Sequence, residues 1–197
     1  VGYEESFTRD FLNDHNYLTK SKCYAFDGTI KNYPIHFTRN IKFFKKNIGS
    51  VIDNETTNLR NLINRNNNIF LAMDIEGGEY PWLLSLVESD LKKFKQIVIE
   101  FHGIGGGDDW GTVFKKKVLC LEKLSKTHYI IHAHANNFGP VINKMPNVIE
   151  LTYINKDYFK EEPRLNTVPF PIVNLDYPNN IKKDDISLNF YPFVSKK

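Results

Sequence analysis

The chain has 197 residues, 41% hydrophobic and 25% charged, which suits one ordinary globular domain large enough to bury a core. Its formal charge of +3 is scattered through segments such as Lys42–Lys46 and Lys115–Lys117, which argues against a nucleic-acid partner and reads Lys115–Lys117 as a solvated helix face. No apolar run reaches the roughly 18 residues that span a bilayer, and Cys23 and Cys120 lie in apolar settings without a CxxC partner, as reduced, buried thiols of a cytoplasmic protein do.

The opening VGYEESF has no initiating Met, so an upstream segment is expected. SFTRDFLNDH (6–15) places Phe7, Phe11 and Leu12 at helical spacing behind Ser6. KCYAFD (22–27) alternates as a strand and ends on Asp27 followed by Gly28, and PIHFTR (34–39) is a second short strand. TTNLRNLINR (56–65) carries Leu59, Leu62 and Ile63 on one helical face, with Thr56 or Thr57 able to cap its start. NIFLAMDIEG (68–77) and KQIVIEFHG (95–103) are near-continuous apolar runs, as are HYIIHAHANN (128–137) and NVIELTYI (147–154). Such runs suit strands buried on both faces of a mainly parallel sheet. Between them, YPWLLSLVES (80–89) has Pro81 in a first helical turn. GTVFKKKVLCLEKLSK (111–126) has an apolar stripe of Val113, Phe114, Val118, Leu121 and Leu124. This alternation predicts an α/β domain over residues 1–160. The Pro-rich stretch 161–197 is too apolar for a free linker; it is expected to pack on the domain through Phe170, Ile172, Leu175 and Phe190.

Polar residues gather where the predicted strands end, which is where open parallel sheets bind ligands. Asp27 ends the first run, Asp74 and Glu76 the third, Glu100 and His102 the fourth, and His134, Asn136 and Asn137 the fifth. Asp27–Gly28 is either a plain turn or a carboxylate for ribose hydroxyls. His132 and His134 share one strand face and are either satisfied core histidines or part of a site; they lack the further ligands of a zinc signature. GIGGGDDWG (103–111) lacks the spacing of a phosphate-binding loop and reads as a flexible flap with Trp110 as a substrate contact. In LAMDIEGGEYPWLL, Asp74, Glu76 and Glu79 crowd beside an apolar segment, where a charge must be paired, hydrogen-bonded or wet. A helix start explains this through its dipole; an active-site edge explains it through chemistry.

The ordered set VGYEESF, CYAFDGTI, LAMDIEGGEYPWL, IVIEFHGI, IIHAHANN and NVIELTYI resembles the FkbM-like S-adenosylmethionine-dependent methyltransferases. LAMDIEGGEYPWL is similar to that family's Asp-x-Glu-Gly-x-Glu signature. The resemblance implies a Rossmann-like class I three-layer sandwich with a seven-stranded sheet in the order 3-2-1-4-5-7-6. Its first strand is missing from this sequence and is expected before Val1. Strand 7 (147–154) is antiparallel, between the fifth and sixth strands. It implies O-methylation, with a hydroxyl of a sugar or surface-polysaccharide precursor as acceptor. Gly2, Tyr3, Ser6, Asp27, Gly28, Thr56 and Asp74 would hold S-adenosylmethionine. His102, then His134, would serve as base beside Asp74, and Glu76, Glu79, Trp110, Asn136 and Asn137 would meet the acceptor. Asp74, Glu100 and His102 also offer ligands suited to a divalent metal, and a homodimer is compatible with the reading. The alternatives are a phosphate-derived or polyketide acceptor, and a non-catalytic binding module of the same fold. An NAD-dependent oxidoreductase lacks its glycine fingerprint here.

Overall fold

The computed structural model describes residues 7, 8, 10, 11, 22–33, 41–106 and 113–195. These fall into two compact units, one ending at Leu59 and the other beginning at Arg60. The division lies inside the 1–160 stretch, and the tail from 161 belongs to the second unit. Most of the 6–15 helix and all of the 34–39 strand lie outside the described residues, as do Gly2, Tyr3, Ser6 and Trp110.

In the first unit, residues 7, 8, 10 and 11 are helical, with the Phe7 and Phe11 rings stacked at 5.9 Å. Strand β1 (Cys23–Phe26) pairs in parallel with β2 (Ile41–Phe44), and the Phe26 and Phe44 rings stack at 4.9 Å. The charge pattern of Lys42–Lys46 hides this strand: Lys42 is exposed while Ile41 and Phe43 on either side are half-buried. β3 (Asn47–Ile48) and β4 (Thr56–Thr57) form a second parallel pair. The helix predicted from Thr56 therefore starts later. Thr57 Oγ1 accepts the Leu59 N–H in a turn, and Leu59 has φ 62°, which no right-handed helix continues through. Helix α1 (Arg60–Arg65) begins only beyond it, in the second unit.

That unit continues with β5 (Ile69–Met73), α2 (Glu79–Ser85), α3 (Glu88–Leu91), β6 (Phe94–His102) and α4 (Phe114–Thr127). β7 (His128–Ala135), a small β8 (Val141–Ile142)–β9 (Met145–Pro146) hairpin and β10 (Val148–Asn155) complete it. The sheet runs β5-β6-β10-β7, with β5 parallel to β6 and β10 antiparallel to both neighbours. The strand at 148–155 thus lies between those at 94–102 and 128–135, the placement the resemblance implies. A single seven-stranded sheet is not what the described residues build: their largest sheet has these four strands, and β1–β2 stands as a separate pair.

One sheet face is apolar. Ile97, Ile99 and Phe101 of β6 and Ile149, Leu151 and Tyr153 of β10 are each at most 3% exposed. Tyr80 and Trp82 of α2 pack there, Tyr80 with its ring 5.4 Å from Phe101 and Trp82 edge-on to Phe94 at 6.2 Å. The predicted 80–89 helix is two short ones, because Leu86 turns extended (ψ 151°). Helix α4 buries only part of the predicted stripe, Leu124 fully and Val118 and Leu121 by half. Lys117, Cys120, Leu124 and Thr127 are buried, while Val113 and Phe114 are exposed. Lys117 is therefore not on a solvated face: its stem is buried and its Nζ donates to the Gly103 carbonyl at 2.7 Å.

On β6, β10 and β7 the alternate positions form a polar row, with Glu150 opposite both Glu100 and His134. The tail closes over the β7 end of this face. His132 Nε2 lies 2.8 Å from Asp176 Oδ1, and the His132 ring meets Phe170 edge-on at 5.0 Å. His134 is held from both sides, Nδ1 by Glu150 at 3.2 Å and Nε2 by Asp185 at 3.0 Å. Asn137 donates to the Asn180, Lys183 and Asp184 carbonyls and accepts the Asn180 N–H. Phe170 and Leu188 are the buried tail anchors, whereas Leu175 of the predicted set is 62% exposed. No described helix is long and apolar enough to cross a membrane.

The tail tether should titrate. The hydrogen bond with Glu150, opposed by burial and reinforced by Asp185, lifts the His134 pKa from 6.5 to about 9. A raised histidine pKa means stabilisation fully present below pH 6.5 and lost as the pH climbs through about 9. The urea midpoint should fall between pH 6 and pH 10, and His134→Gln should flatten that fall. Equal pH profiles in the two proteins would show that His134 carries no such charge.

Candidate active site

The LAMDIEGGEYPWLL segment makes a sharp turn between β5 and α2, and one carboxylate organises it. Glu79, the first residue of α2, is fully buried. Its Oε1 accepts the N–H groups of Ile75 at 3.1 Å and Gly77 at 3.2 Å, and lies 3.2 Å from His102 Nδ1. Glu76 takes φ 55° and Gly77 φ 94° to close the loop; the left-handed region is a strained choice for the former and free for the latter. Glu79 thus points inward at His102 and is not among the residues lining the cavity. Its position at the helix start is real, but the interaction that fixes it is lateral, with the turn and the imidazole.

His102 ends β6 and is 7% exposed. Its backbone carbonyl accepts from the Tyr80 hydroxyl at 2.8 Å. Its Nε2 faces Glu76 Oε2 at 3.3 Å, Asp74 Oδ1 at 3.8 Å and Glu100 Oε1 at 3.9 Å. Glu100 and His102, two residues apart on one strand, share a face, and Asp74 and Glu76 reach them from the end of the parallel neighbour β5. Burial disfavours charge on the ring, but the hydrogen bond with Glu79 and the charges of Glu79, Glu100 and Asp74 outweigh it and raise the His102 pKa. Burial and the Asp74 charge raise that of Glu100, against the pull of its bond from Asn136. Asn136 Nδ2 donates to Glu100 Oε1 at 2.8 Å while its Oδ1 accepts the Phe138 N–H.

These groups open onto a cavity of about 390 Å³ lined by Asp74, Glu76, Glu100, His102, Asn136, Phe138, Gly139 and Val148. Five of these eight residues were singled out from the sequence. Phe138, Gly139 and Val148 were not; they follow Asn136 or start β10, and position after a strand end was the available signal. Gly139 is required there, since a Cβ would lie 2.8 Å from Val148 Cγ2. His134 and Asn137, expected at the site, face the tail instead and line no part of this cavity. Both His134 nitrogens are engaged by carboxylates, Glu150 and Asp185.

In the first unit, Asp27 follows β1 and is 9% exposed. Its Oδ1 accepts the Thr29 N–H at 2.7 Å, the Thr29 hydroxyl at 2.6 Å and the Ile30 N–H at 3.3 Å. Burial alone would raise its pKa, but the bonds from Thr29 and Ile30 prevail and hold it below the usual value. The space over Gly28 is filled by the Asn47 side chain, where a Cβ would come within 2.3 Å of Oδ1. Thr56 is tied into the β3–β4 ladder, and its N–H bonds Asp53 at 2.7 Å.

Among the described residues, Asp74, Glu100 and His102 offer ligand atoms all within 4.8 Å of one another, the donor set of a cation site. No curated protein and no solved structure matches the chain. The family described as the methyltransferase FkbM domain matches residues 10–160, the stretch that holds β1 with Asp27, the Glu79-organised turn and the whole carboxylate–histidine cavity. The chain belongs to the FkbM methyltransferase domain family.

Proposed function

We infer that the protein is an S-adenosylmethionine-dependent O-methyltransferase whose acceptor is a hydroxyl of a sugar or surface-polysaccharide precursor. The observation that carries the reading is the cavity at the β5 and β6 ends, in a chain of a methyltransferase family. Asp74, Glu76, Glu100 and Asn136 present hydrogen-bond partners for several hydroxyls at once, as a polyol needs. Among the described residues, the large apolar side chains in the lining are Phe138 and Val148, enough to cover the carbon face of one sugar ring and too few for a polyketide body.

The S-adenosylmethionine sulfonium would supply the methyl group, which passes in line to the acceptor oxygen as the thioether S-adenosylhomocysteine departs. Asp27 suits the ribose: it is held ionised at a strand end, with its Oδ1 fixed by its own turn. In the cavity the chain's work is orientation. Asn136 holds Glu100, and Glu79 holds His102 by Nδ1, so that Nε2 and the Asp74 and Glu100 oxygens converge on one point. The proton leaving the acceptor oxygen enters this cluster, where a single hydrogen-bonded group of ring and carboxylates shares it.

His102→Ala should lower methyl transfer by about a hundredfold or more, with S-adenosylmethionine affinity by calorimetry unchanged. Wild-type turnover in that variant would remove His102 from the reaction. Asp27→Asn keeps an oxygen for the turn and removes the charge. It should weaken S-adenosylmethionine roughly ten- to hundredfold, the scale of a charged hydrogen bond. Full affinity in Asp27→Asn would reassign the ribose contact. No binding of S-adenosylmethionine to the wild-type chain would overturn the enzyme reading in favour of a non-catalytic module.

A further inference from the structure

We propose that Asp74, Glu100 and His102 bind a divalent cation, one that accepts hard oxygen ligands and a single imidazole, at the floor of the cavity. The proposal deepens the methyltransferase reading by assigning the acceptor hydroxyl a metal ion to coordinate, but the binding itself does not depend on that reading.

Three features point to a cation, and the first is charge. Asp74, Glu76, Glu79 and Glu100 each bring a carboxylate oxygen within 3.9 Å of a His102 ring nitrogen. Among the described residues, the cavity lining contains no lysine or arginine to answer them. Glu79 and Glu100 of this set are 0% and 14% exposed, and buried negative charge is costly unless compensated.

The second is Glu79. It is fully buried, aimed at His102 Nδ1, and its Oε2 has no hydrogen-bond partner among the described residues. A carboxylate behind Nδ1 is the arrangement that fixes a metal-binding imidazole with Nε2 as the ligand atom and makes it a better donor. With Nδ1 on Glu79, Nε2 is the ring nitrogen that faces Asp74 and Glu100.

The third is reach. Ligand atoms roughly 2.0–2.2 Å from a cation lie at most about 4.4 Å apart, and the three here lie within 4.8 Å of one another. Asp74, whose side chain is 54% exposed, can rotate to close the difference, while Glu100 and His102 are held by Asn136 and Glu79. The cavity leaves open positions for an acceptor hydroxyl, whose pKa a bound cation lowers. Two carboxylates and one imidazole suit Mn²⁺ or Mg²⁺ over a thiophilic metal.

Mn²⁺ is the probe. Chelator-treated protein is titrated with MnCl₂, and free Mn²⁺ is read by its electron paramagnetic resonance signal, without S-adenosylmethionine or acceptor. The wild type should bind one ion. Asp74→Asn, an exposed change that leaves the core untouched, should weaken it at least tenfold. Glu79→Gln, which touches no metal, should weaken it ten- to hundredfold, the usual cost of losing such a partner. Glu88→Gln, at the exposed pair with Lys92, should bind as wild type does. Absence of binding at millimolar Mn²⁺, or equal binding by wild type and Asp74→Asn, would overturn the site. Calorimetry with S-adenosylmethionine on the same samples separates the two readings. A chain that binds Mn²⁺ but not S-adenosylmethionine keeps the metal and loses the methyl transfer; the reverse keeps the methyl transfer and loses the metal.

Discussion

The second unit turns on one buried contact, that of Glu79 with His102. A carboxylate with no exposure is expensive, of the order of several kcal/mol, unless its oxygens are satisfied. Here one oxygen takes two backbone N–H groups of the β5–α2 turn and the imidazole at once. That arrangement places the end of β5 against the end of β6, and so puts Asp74 and Glu76 beside Glu100 and His102. It also explains why Glu76 tolerates φ 55°: the turn is determined from both sides, by Glu79 and by the Gly78 N–H to Ile75 carbonyl bond at 3.2 Å. The strain sits next to the cavity, as strained residues of functional sites often do.

The support behind His102 is equally specific. Its carbonyl is held by the Tyr80 hydroxyl, and Tyr80 is packed on Phe101 and accepts from the Cys120 thiol through its own carbonyl. Lys117 of the same helix as Cys120 fixes the next carbonyl, that of Gly103. Helix α4 therefore buries a lysine where a leucine would pack better, and the reason is the polar backbone that the strand leaves behind as it ends. Burial drives the Cys120 thiol up to about 12, so it stays a neutral thiol and serves packing.

Much of this was legible in the sequence, for physical reasons that differ by element. β6 and β10 show as apolar runs because each lies between two strands and buries one face under helices. The convergence of Asp74, Glu76, Glu100, His102 and Asn136 followed from the rule that parallel strands deliver ligands at their carboxyl ends. What failed did so where tertiary contacts override local pattern. Thr56 looked like a helix cap, but a β-ladder with Asn47–Ile48 claims it. Lys117 looked solvated, since a charged residue in a Lys run gives no sign of a carbonyl waiting across the fold. His134 and Asn137 ended the right strand, but their partners, Asp185 and residues 180–184, are far off in sequence, in a tail with no periodicity to announce it.

The tail has more to do with the cavity than its distance in sequence suggests. Glu100, Glu150 and His134 form one row across three strands. Glu150 adds to the pressure that raises the Glu100 pKa, so the charge left on Glu150 matters at the site. His134 takes one Glu150 oxygen and Asn179 of the tail takes the other at 2.7 Å. Asp185, also in the tail, lies against the far nitrogen of His134 and helps keep that ring charged. The row is thus sorted: Glu150 is answered by the tail side, and Glu100 is left to Asn136 and the cluster around His102. His134, a candidate base in the sequence, here neutralises Glu150, the cross-strand neighbour of the cavity carboxylate Glu100.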